Sequence, residues 1–428
     1  MSLSSSGNPG PGSPPPAVVV GLDNITGLQT ARILAARGVP VFGVVADREH
    51  FGARTNVCVE VVEADVSGPG LVPALQVLGD RIGRLAVLVP CTDASVSLLS
   101  RSRDVLADRF RLPLASDDVV DLLMDKVRFA RHAAAAHLAI PRTEVLTSRA
   151  DAEVAAHQLS YPCVLKPPVK SPLWLQHTSA KAIPVADAGE LLSTYDRVVG
   201  WSPQLLAQEW VEGSEEDLYS CNGYFGSDGT ALATFVARKI RQWPPDIGTS
   251  ASGEECRNDD VLSETLRVFG SVGFHGLAYL EMKRDTRNGR LVIIEPNVGR
   301  PTGRSAISEA GGVELVYTAY CDAAGLPLPA DREQRYIGTK WLDLRRDAQA
   351  AFVARARGEL TLREWAASLR GPKAHAIWSR RDPMPFVVDM AQAATTGARL
   401  ASAGLLRTAR ARLAGRRGHM DPAGGTAP

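Results

Sequence analysis

The chain has 428 residues, 45% hydrophobic and 22% charged, with a formal net charge of +1. That length exceeds one ordinary core and implies two or three domains of a soluble globular protein. The near-zero charge excludes a strong whole-chain attraction to nucleic acid. Six scattered cysteines without C-x-x-C argue against a zinc site or a disulfide framework and fit a reducing cytoplasm.

Residues 1–16 are Ser, Gly and Pro without basic residues or an apolar core segment, which suits a disordered leader and not a signal peptide. No apolar run approaches the ~20 residues of a membrane span. "AVVVGLD", "NITGLQTARILAARG" and "VPVFGVVAD" then read as buried strand, amphipathic helix closed by Gly38, and buried strand. This β-α-β unit implies a parallel sheet and a small α/β domain over 17–116. "GLDNITG" lacks G-x-G-x-x-G, although Asp47 ends the second strand where a ribose-binding acid would sit, so a Rossmann-like scaffold without a dinucleotide is expected.

From Ser116, a plausible N-cap, a helical pattern runs toward Pro141 and carries Lys126. "YPCVLKPP" is a strand ending in Lys166, where a point charge can reach phosphates that Lys126 also meets. "QEWV", Gln208, Glu209, Trp210 and Val211, is an apolar strand end whose backbone can read an adenine edge, with Glu215 and Glu216 at ribose distance. Lys239 and Arg241 in "ARKIRQ" are cations at alternating strand positions. "GLAYLEMKRDTRNGRLVIIEPNVGRPTG" is a strand, a charged turn at Asn288-Gly289 and a strand. It carries Glu281, Glu295 and Asn297, hard oxygen ligands suited to Mg²⁺ bound with nucleotide phosphates. The hairpin alone equally suits a solvated face with Lys283 or Arg290 as partners. His275, Trp341, Trp365, Trp378 and Cys91 read as structural. After Asp331 the segments are short, and a basic helix candidate over 387–417 ends the chain.

Taken in order, "DK" at Asp125-Lys126, "YPCVLKP", "LLAQEWVEGSEED", "ARKIRQ", "GLAYLEMK" and "IIEPNVGR" resemble the ATP-grasp superfamily over residues 17–329. The pattern looks most like the branch of D-aspartate ligase and related amino-acid ligases. The resemblance implies an α/β and α+β architecture. A Rossmann-like pre-ATP-grasp domain (17–116) precedes a two-lobed ATP-grasp domain (117–329, hinge near 206–212) and a mostly helical extension with a basic tail (330–428). It implies ATP and Mg²⁺, with Mn²⁺ an acceptable substitute. Lys126 and Lys166 would contact phosphates, Glu209 to Val211 would line the adenine, and Glu215 or Glu216 would hold the ribose. Glu281, Glu295 and Asn297 would coordinate the metal.

Arg300 would face the acyl phosphate or substrate, with Gly299 and Gly303 letting the backbone turn close to a ligand. Its alternative is a surface ion pair with an acid such as Glu309. Lys239 and Arg241 join it as catalytic candidates. The expected activity is carboxylate–amine (or carboxylate–thiol) ligation through an acyl phosphate, on small-molecule substrates. The alternatives are a bicarbonate-using carboxylase or carbamoyl-phosphate-type enzyme, a non-catalytic ATP-binding regulator, and a Rossmann oxidoreductase. A homodimer is compatible with the pattern. Two departures stand out. "PPVKSPLWLQHTSAKAI" lacks the glycine-rich loop of many relatives, leaving Lys170, Ser179 or Lys181 to close over phosphates, and the arginine follows Asn297 by three residues. The tail arginines Arg399, Arg407, Arg410, Arg412, Arg416 and Arg417 suit either weak contact with an anionic membrane surface or a solvated helix face.

Overall fold

The computed structural model describes residues 13–169, 171–178, 180–245, 248–303 and 305–395. Most of the leader, Lys170, Ser179 and the tail arginines lie outside the described residues. The β-branched runs near the start form β1 (Ala17–Val20), β2 (Val41–Val45), β3 (Cys58–Glu63), β4 (Ala86–Pro90) and β5 (Phe110–Arg111). All pair in parallel, in the order β3-β2-β1-β4-β5. β1, β2 and β4 are buried at every position because helices cover both faces of the sheet. The first helix, Ile25–Ala36, is capped by Asn24, whose side chain accepts from the Gly27 N–H. Only glycine fits at 27, since a Cβ there would lie 2.2 Å from the Gly21 carbonyl oxygen. Helix Leu315–Ala324, about 300 residues on, packs Val316, Tyr320 and Cys321 into one of this sheet's two cores.

A second, antiparallel sheet holds β6 (Thr143–Leu146), β7 (Cys163–Lys166), β8 (Ile183–Val185) and β9 (Leu205–Glu209), in the order β6-β9-β7-β8. Helices Arg149–Gln158 and Ala188–Val198 share its core, joined by Trp174 from the short helix Pro172–His177. The segment without glycines is thus a helical insert between β7 and β8. Ser171 caps it, Pro172 opens it, and Trp174 Nε1 donates to Ala180 O at 3.0 Å.

The third sheet is larger: β10 (Leu218–Phe225), β11 (Ala231–Trp243), β12 (Thr249–Glu255), β13 (Gly276–Arg284), β14 (Leu291–Val298), β15 (Lys340–Leu342) and β16 (Lys373–His375). Its order is β14-β13-β10-β11-β12-β15-β16. Cys221, Val236, Leu280 and Met282 share one core with Val261, Val268 and Phe269 of helix Asp259–Gly270. The opposite face carries Tyr279, Glu281 and Lys239 by period-two alternation, which β-bulges on either side of Arg241 interrupt. The helical C-terminal region also contributes β15 and β16 here. β15 satisfies backbone groups that β12 would otherwise expose at a sheet edge, and "KWL" is too short to declare a period in sequence. Residues 384–395 are helical. Among the described residues no helix is long and apolar enough to cross a membrane.

Candidate active site

β13 and β14 pair antiparallel, with Glu281 opposite Glu295 and Tyr279 opposite Asn297. Just past Glu281 the register shifts, and Met282 meets Ile293, leaving Ile294 over. A bulge of this kind re-aims the side chains that follow it. Ile293 stays in the core while Glu295 and Asn297 reach a cleft. Lys239 Nζ lies 3.1 Å from Glu281 Oε1, and the Tyr279 hydroxyl donates to Oε2 at 2.6 Å. The hairpin charge is therefore met by β11, and among the described residues neither Lys283 nor Arg290 forms an ion pair with Glu281 or Glu295. Like charges directly opposite on a ladder destabilise it. A divalent cation held by both carboxylates and the Asn297 amide removes that cost, and these hard oxygens fit Mg²⁺. Among the described residues no group of three or more His, Cys, Asp or Glu gathers as a metal cluster. The set thus depends on the amide and on ligand oxygens.

Two lysines face this hairpin. Lys126 opens helix Lys126–Ala135, capped by Asp125, and its Nζ donates to Pro168 O at 3.2 Å. Lys166 ends β7 and donates to Gln208 Oε1 at 2.7 Å, while Gln208 Nε2 donates to Thr143 Oγ1 at 2.7 Å. Burial lowers the Lys166 ammonium to about 8, with Glu295 opposing the shift and Lys126 adding to it. Lys126, Lys166, Gln208, Glu295 and Asn297 line one cleft of ≈ 710 Å³ between the two antiparallel sheets.

The remaining nucleotide candidates spread out from that cleft. Strand alternation turns the Glu209 side chain away from Gln208, and its carboxylate accepts from Ser160 N at 2.8 Å. Trp210 O accepts from Arg287 at 3.1 Å, and Val211 O from Lys283 Nζ at 2.9 Å. Lys283 Nζ also lies 5.4 Å from the Trp210 ring centroid. Glu215 Oε2 accepts from Gln242 N at 2.8 Å, while Glu216 is exposed, 3.9 Å from Arg238. The segment 208–216 thus bridges the small sheet to β11 and β13.

Arg300 ties the hairpin to the N-terminal domain. Its Nε donates to Asp93 Oδ1 at 2.5 Å and its Nη2 to Asn297 Oδ1 at 2.9 Å. The expectation of Glu309 as its ion-pair partner is corrected. Glu309 accepts from the N–H groups of Val316 and Tyr317, and burial raises its carboxyl to about 7. Gly299 also differs from expectation. It has φ +75°, and a Cβ there would lie 2.4 Å from Leu114 and 2.6 Å from Val96, so its close approach is to the N-terminal domain.

Sequence reasoning missed Tyr279, Thr143, Asp93 and Asp347, the last accepting from Arg241 Nε at 2.8 Å. Tyr279 was recoverable, lying two residues before Glu281 on the same strand face. Asp93 and Asp347 are 207 and 106 residues from their arginines, and no local pattern marks them. His275 packs edge-on to Tyr224 at 6.4 Å, and burial pushes the Cys91 thiol up to about 12; both suit structural roles.

No family model matches the chain. The D-alanine–D-alanine ligase of Stutzerimonas stutzeri (strain A1501) is 26% identical over 189 residues, 41% of this chain and 55% of that protein. The D-aspartate ligase of Enterococcus faecium (strain Aus0004) is 21% identical over 234 residues, 51% of this chain and 54% of the relative. The chain spans about half the length of these two relatives. Among solved structures, the N5-carboxyaminoimidazole synthetase of Staphylococcus aureus complexed with ADP superposes with TM-score 0.59 at 15% identity, over 76% of this chain and 80% of that one. The biotin carboxylase–β,γ-ATP complex of Campylobacter jejuni gives 0.60 at 13%, over 74% and 72%. The biotin carboxylase domain dimer of the Hydrogenobacter thermophilus 2-oxoglutarate carboxylase, in complex with MgADP, ADP and bicarbonate, gives 0.59 at 14%, over 75% and 71%.

Proposed function

Taking as premise that the chain is an ATP-grasp protein, by its fold and its curated relatives, we propose that it is an ATP-dependent carboxylate–amine ligase acting on amino acids or similar small acids. The observation that carries this reading is the cleft in which Lys126 and Lys166 face Glu295 and Asn297, with Glu281 opposite Glu295 on the ladder. Cations on one wall and carboxylates on the other suit a nucleotide polyphosphate with its metal. Names of the relatives and the nucleotide-bound neighbours point the same way. On this reading the chain divides near 116 and 329, with the hinge at 206–212.

Glu281, Glu295 and Asn297 would hold Mg²⁺, which would supply neutralisation of phosphate charge there. Lys126 and Lys166 hold the phosphates from the other wall, and the 208–216 segment supports the base and ribose. A substrate carboxylate oxygen attacks the terminal phosphorus of ATP, ADP leaves, and an amine then displaces phosphate from the acyl carbon. The chain's own part is alignment, charge compensation and exclusion of water. Lys239 keeps Glu281 in place, and Arg300 holds Asn297 while presenting positive charge beside the reacting centre.

A phosphate-release screen with ATP, Mg²⁺ and pairs of amino acids, with bicarbonate as a further arm and product masses read out, tests the reading. Release that requires both an acid and an amine, with a product of their summed mass less water, supports it. Release with bicarbonate alone moves the chain to the carboxylase reading, and ATP binding without release under any pair removes ligation.

A further inference from the structure

The cleft that holds Lys126, Lys166, Glu295 and Asn297 is also lined by the N-terminal domain, through Asp93, Ala94 and Ser97 of helix Asp93–Arg101. Asp93 and Ser97 lie one turn apart and share a helix face. Thr92 caps this helix through the Ser95 N–H, and Val96 is buried in the core with Leu280 and Met282. The face turned to the cleft is thereby fixed at both its cap and its back.

Four carboxylates line the cleft among the described residues, and three of them are committed. Asp125 accepts from the Val127 and Arg128 N–H groups as a helix cap. Asp121 lies between Arg101 and Arg128, at 3.8 and 4.0 Å. Glu295 belongs to the metal set. Asp93 differs: its Oδ1 accepts from Arg300 Nε at 2.5 Å, and its Oδ2 accepts from no described residue. The Asp93 side chain is 61% exposed. The same guanidinium donates through Nη2 to Asn297 Oδ1 at 2.9 Å. One planar arginine therefore sets the spacing between Asp93 and the hairpin. A carboxylate offers about four acceptor sites, so a single bond to Arg300 leaves Oδ2 open.

In the ligase reading each anionic reactant already has its counter-charge. Lys126, Lys166 and the metal meet the nucleotide, and Arg300 meets the acyl centre. The acceptor amine enters as an ammonium, which only donates and is matched by a group that only accepts. We propose that Asp93 binds the ammonium group of the amine acceptor through Oδ2, the oxygen that Arg300 leaves open, so that the N-terminal domain supplies the amine subsite. The inference rests on the ligase reading for the identity of the ligand, and on the cleft, Asp93 and Arg300 for the place.

The test compares wild type, Asp93→Asn and Asp93→Glu in the full chain. The asparagine keeps an oxygen for Arg300 and puts an amide donor where the ammonium would sit. Glycinamide and ethylamine, both cations at pH 7 and neither carrying a carboxylate, are titrated by calorimetry with ADP and Mg²⁺ present. Wild type is expected to bind at least one of them, and Asp93→Asn to weaken that binding ~10-fold or more. Asp93→Glu keeps the charge and should recover part of the loss.

Turnover is measured with the acid–amine pair found in the phosphate-release screen. Asp93→Asn should raise the KM of the amine ~10-fold, with the KM values for acid and ATP unchanged. Hydroxylamine, uncharged at pH 8, intercepts an acyl phosphate without an ammonium, so hydroxamate formation should fall less than ~3-fold. Wild type binding neither cation, equal binding by wild type and Asp93→Asn, an unchanged amine KM, or a hydroxamate loss equal to the ligation loss overturns the inference. A lowered KM for the acid in Asp93→Asn also overturns it, by making Asp93 a stand-in for the substrate carboxylate on Arg300. Cation binding that depends on Asp93, in a protein that forms neither ligation product nor hydroxamate, leaves the cation subsite standing and removes the ligase reading.

Discussion

Two arginines on or just beyond the seven-stranded sheet are each met by an aspartate from a distant part of the chain, and the two pairs differ in burial. Arg241 and Asp347 have side chains 9% and 1% exposed, and Arg300 and Asp93 have 17% and 61%. The first joins the C-terminal extension to β11, and the second joins the N-terminal domain to the end of β14. A buried pair is costly to break because the survivor is left charged without water, whereas solvent replaces the partner of an exposed one. The extension is therefore held to β11 by a contact that water cannot replace, while the Arg300–Asp93 pair is one that solvent can take over, beside the buried packing of Gly299 against Val96 and Leu114. A binding step that must open and close a cleft is better served by the second kind of contact.

Removing one acid from each pair tests that contrast most strongly. Asp347→Ala is expected to destabilise the chain by about 3–5 kcal/mol, since Ser252 and Trp365 also lose their acceptor. Asp93→Ala should change stability by less than ~1 kcal/mol. Urea unfolding of both variants measures this; equal midpoint shifts would remove the distinction.

Glu309 supplies a buried carboxylate whose nearest cation, Arg37, is 3.8 Å away. Its folded pKa of about 7 lies above the ordinary 4.5. Between those values the folded chain keeps a proton that the unfolded chain has released. Stability therefore falls as pH rises from about 4.5 to 7, by up to ~3 kcal/mol, and remains at the lower level above. Glu309→Gln should abolish this component, seen as a smaller difference between unfolding midpoints at pH 5 and pH 8. An unchanged difference would show that the carboxyl is not the source.

Arg300→Lys keeps the charge of the exposed pair but loses the fork that spans Asp93 and Asn297. Turnover should fall ~10- to 100-fold with nucleotide affinity near normal, if the arginine acts mainly as the acyl phosphate reacts. Steady-state kinetics and nucleotide titration on one preparation separate this from a binding defect, which would lower both together.

The smallest expected effect is protonic. Lys166 is lowered to about 8 by burial, and phosphates beside it favour the charged form. Nucleotide binding at pH 8 should then take up about half a proton, and less at pH 7 where the lysine is already charged. Calorimetry in two buffers of different ionisation heat reads the uptake, and Lys166→Met should remove it. The sign matters: proton release on binding would contradict the assignment.

The ligand-bearing segments were legible because their chemistry is local. "IIEPN" and "VLKP" put a charged or amide group at the end of an apolar strand, although the bulge that turns Glu295 away from Ile293 is set by the pairing with β13. "AVVV" declared a parallel sheet by being apolar at every position, and Asn288-Gly289 declared its hairpin. The helical insert in place of a glycine-rich loop is also written in the sequence, in Ser171 as N-cap and Pro172 at the first helical position. Partner choice was not legible. Glu281 finds Lys239 instead of Lys283, and Arg300 finds Asp93 instead of Glu309, because these pairings depend on which strands become neighbours. The three-residue β15 carries no period of its own, and only the open edge of β12 makes it a strand. Sequence by itself determined which residue types sit on which face of the regular stretches, since that follows from backbone geometry and hydrophobic pattern, whereas the bulges in β11 and β14 come from pairing. The tertiary structure alone decided that Asp347 meets Arg241 and Asp93 meets Arg300, because contacts across 106 and 207 residues arise from the packing of domains and leave no periodic trace in the chain.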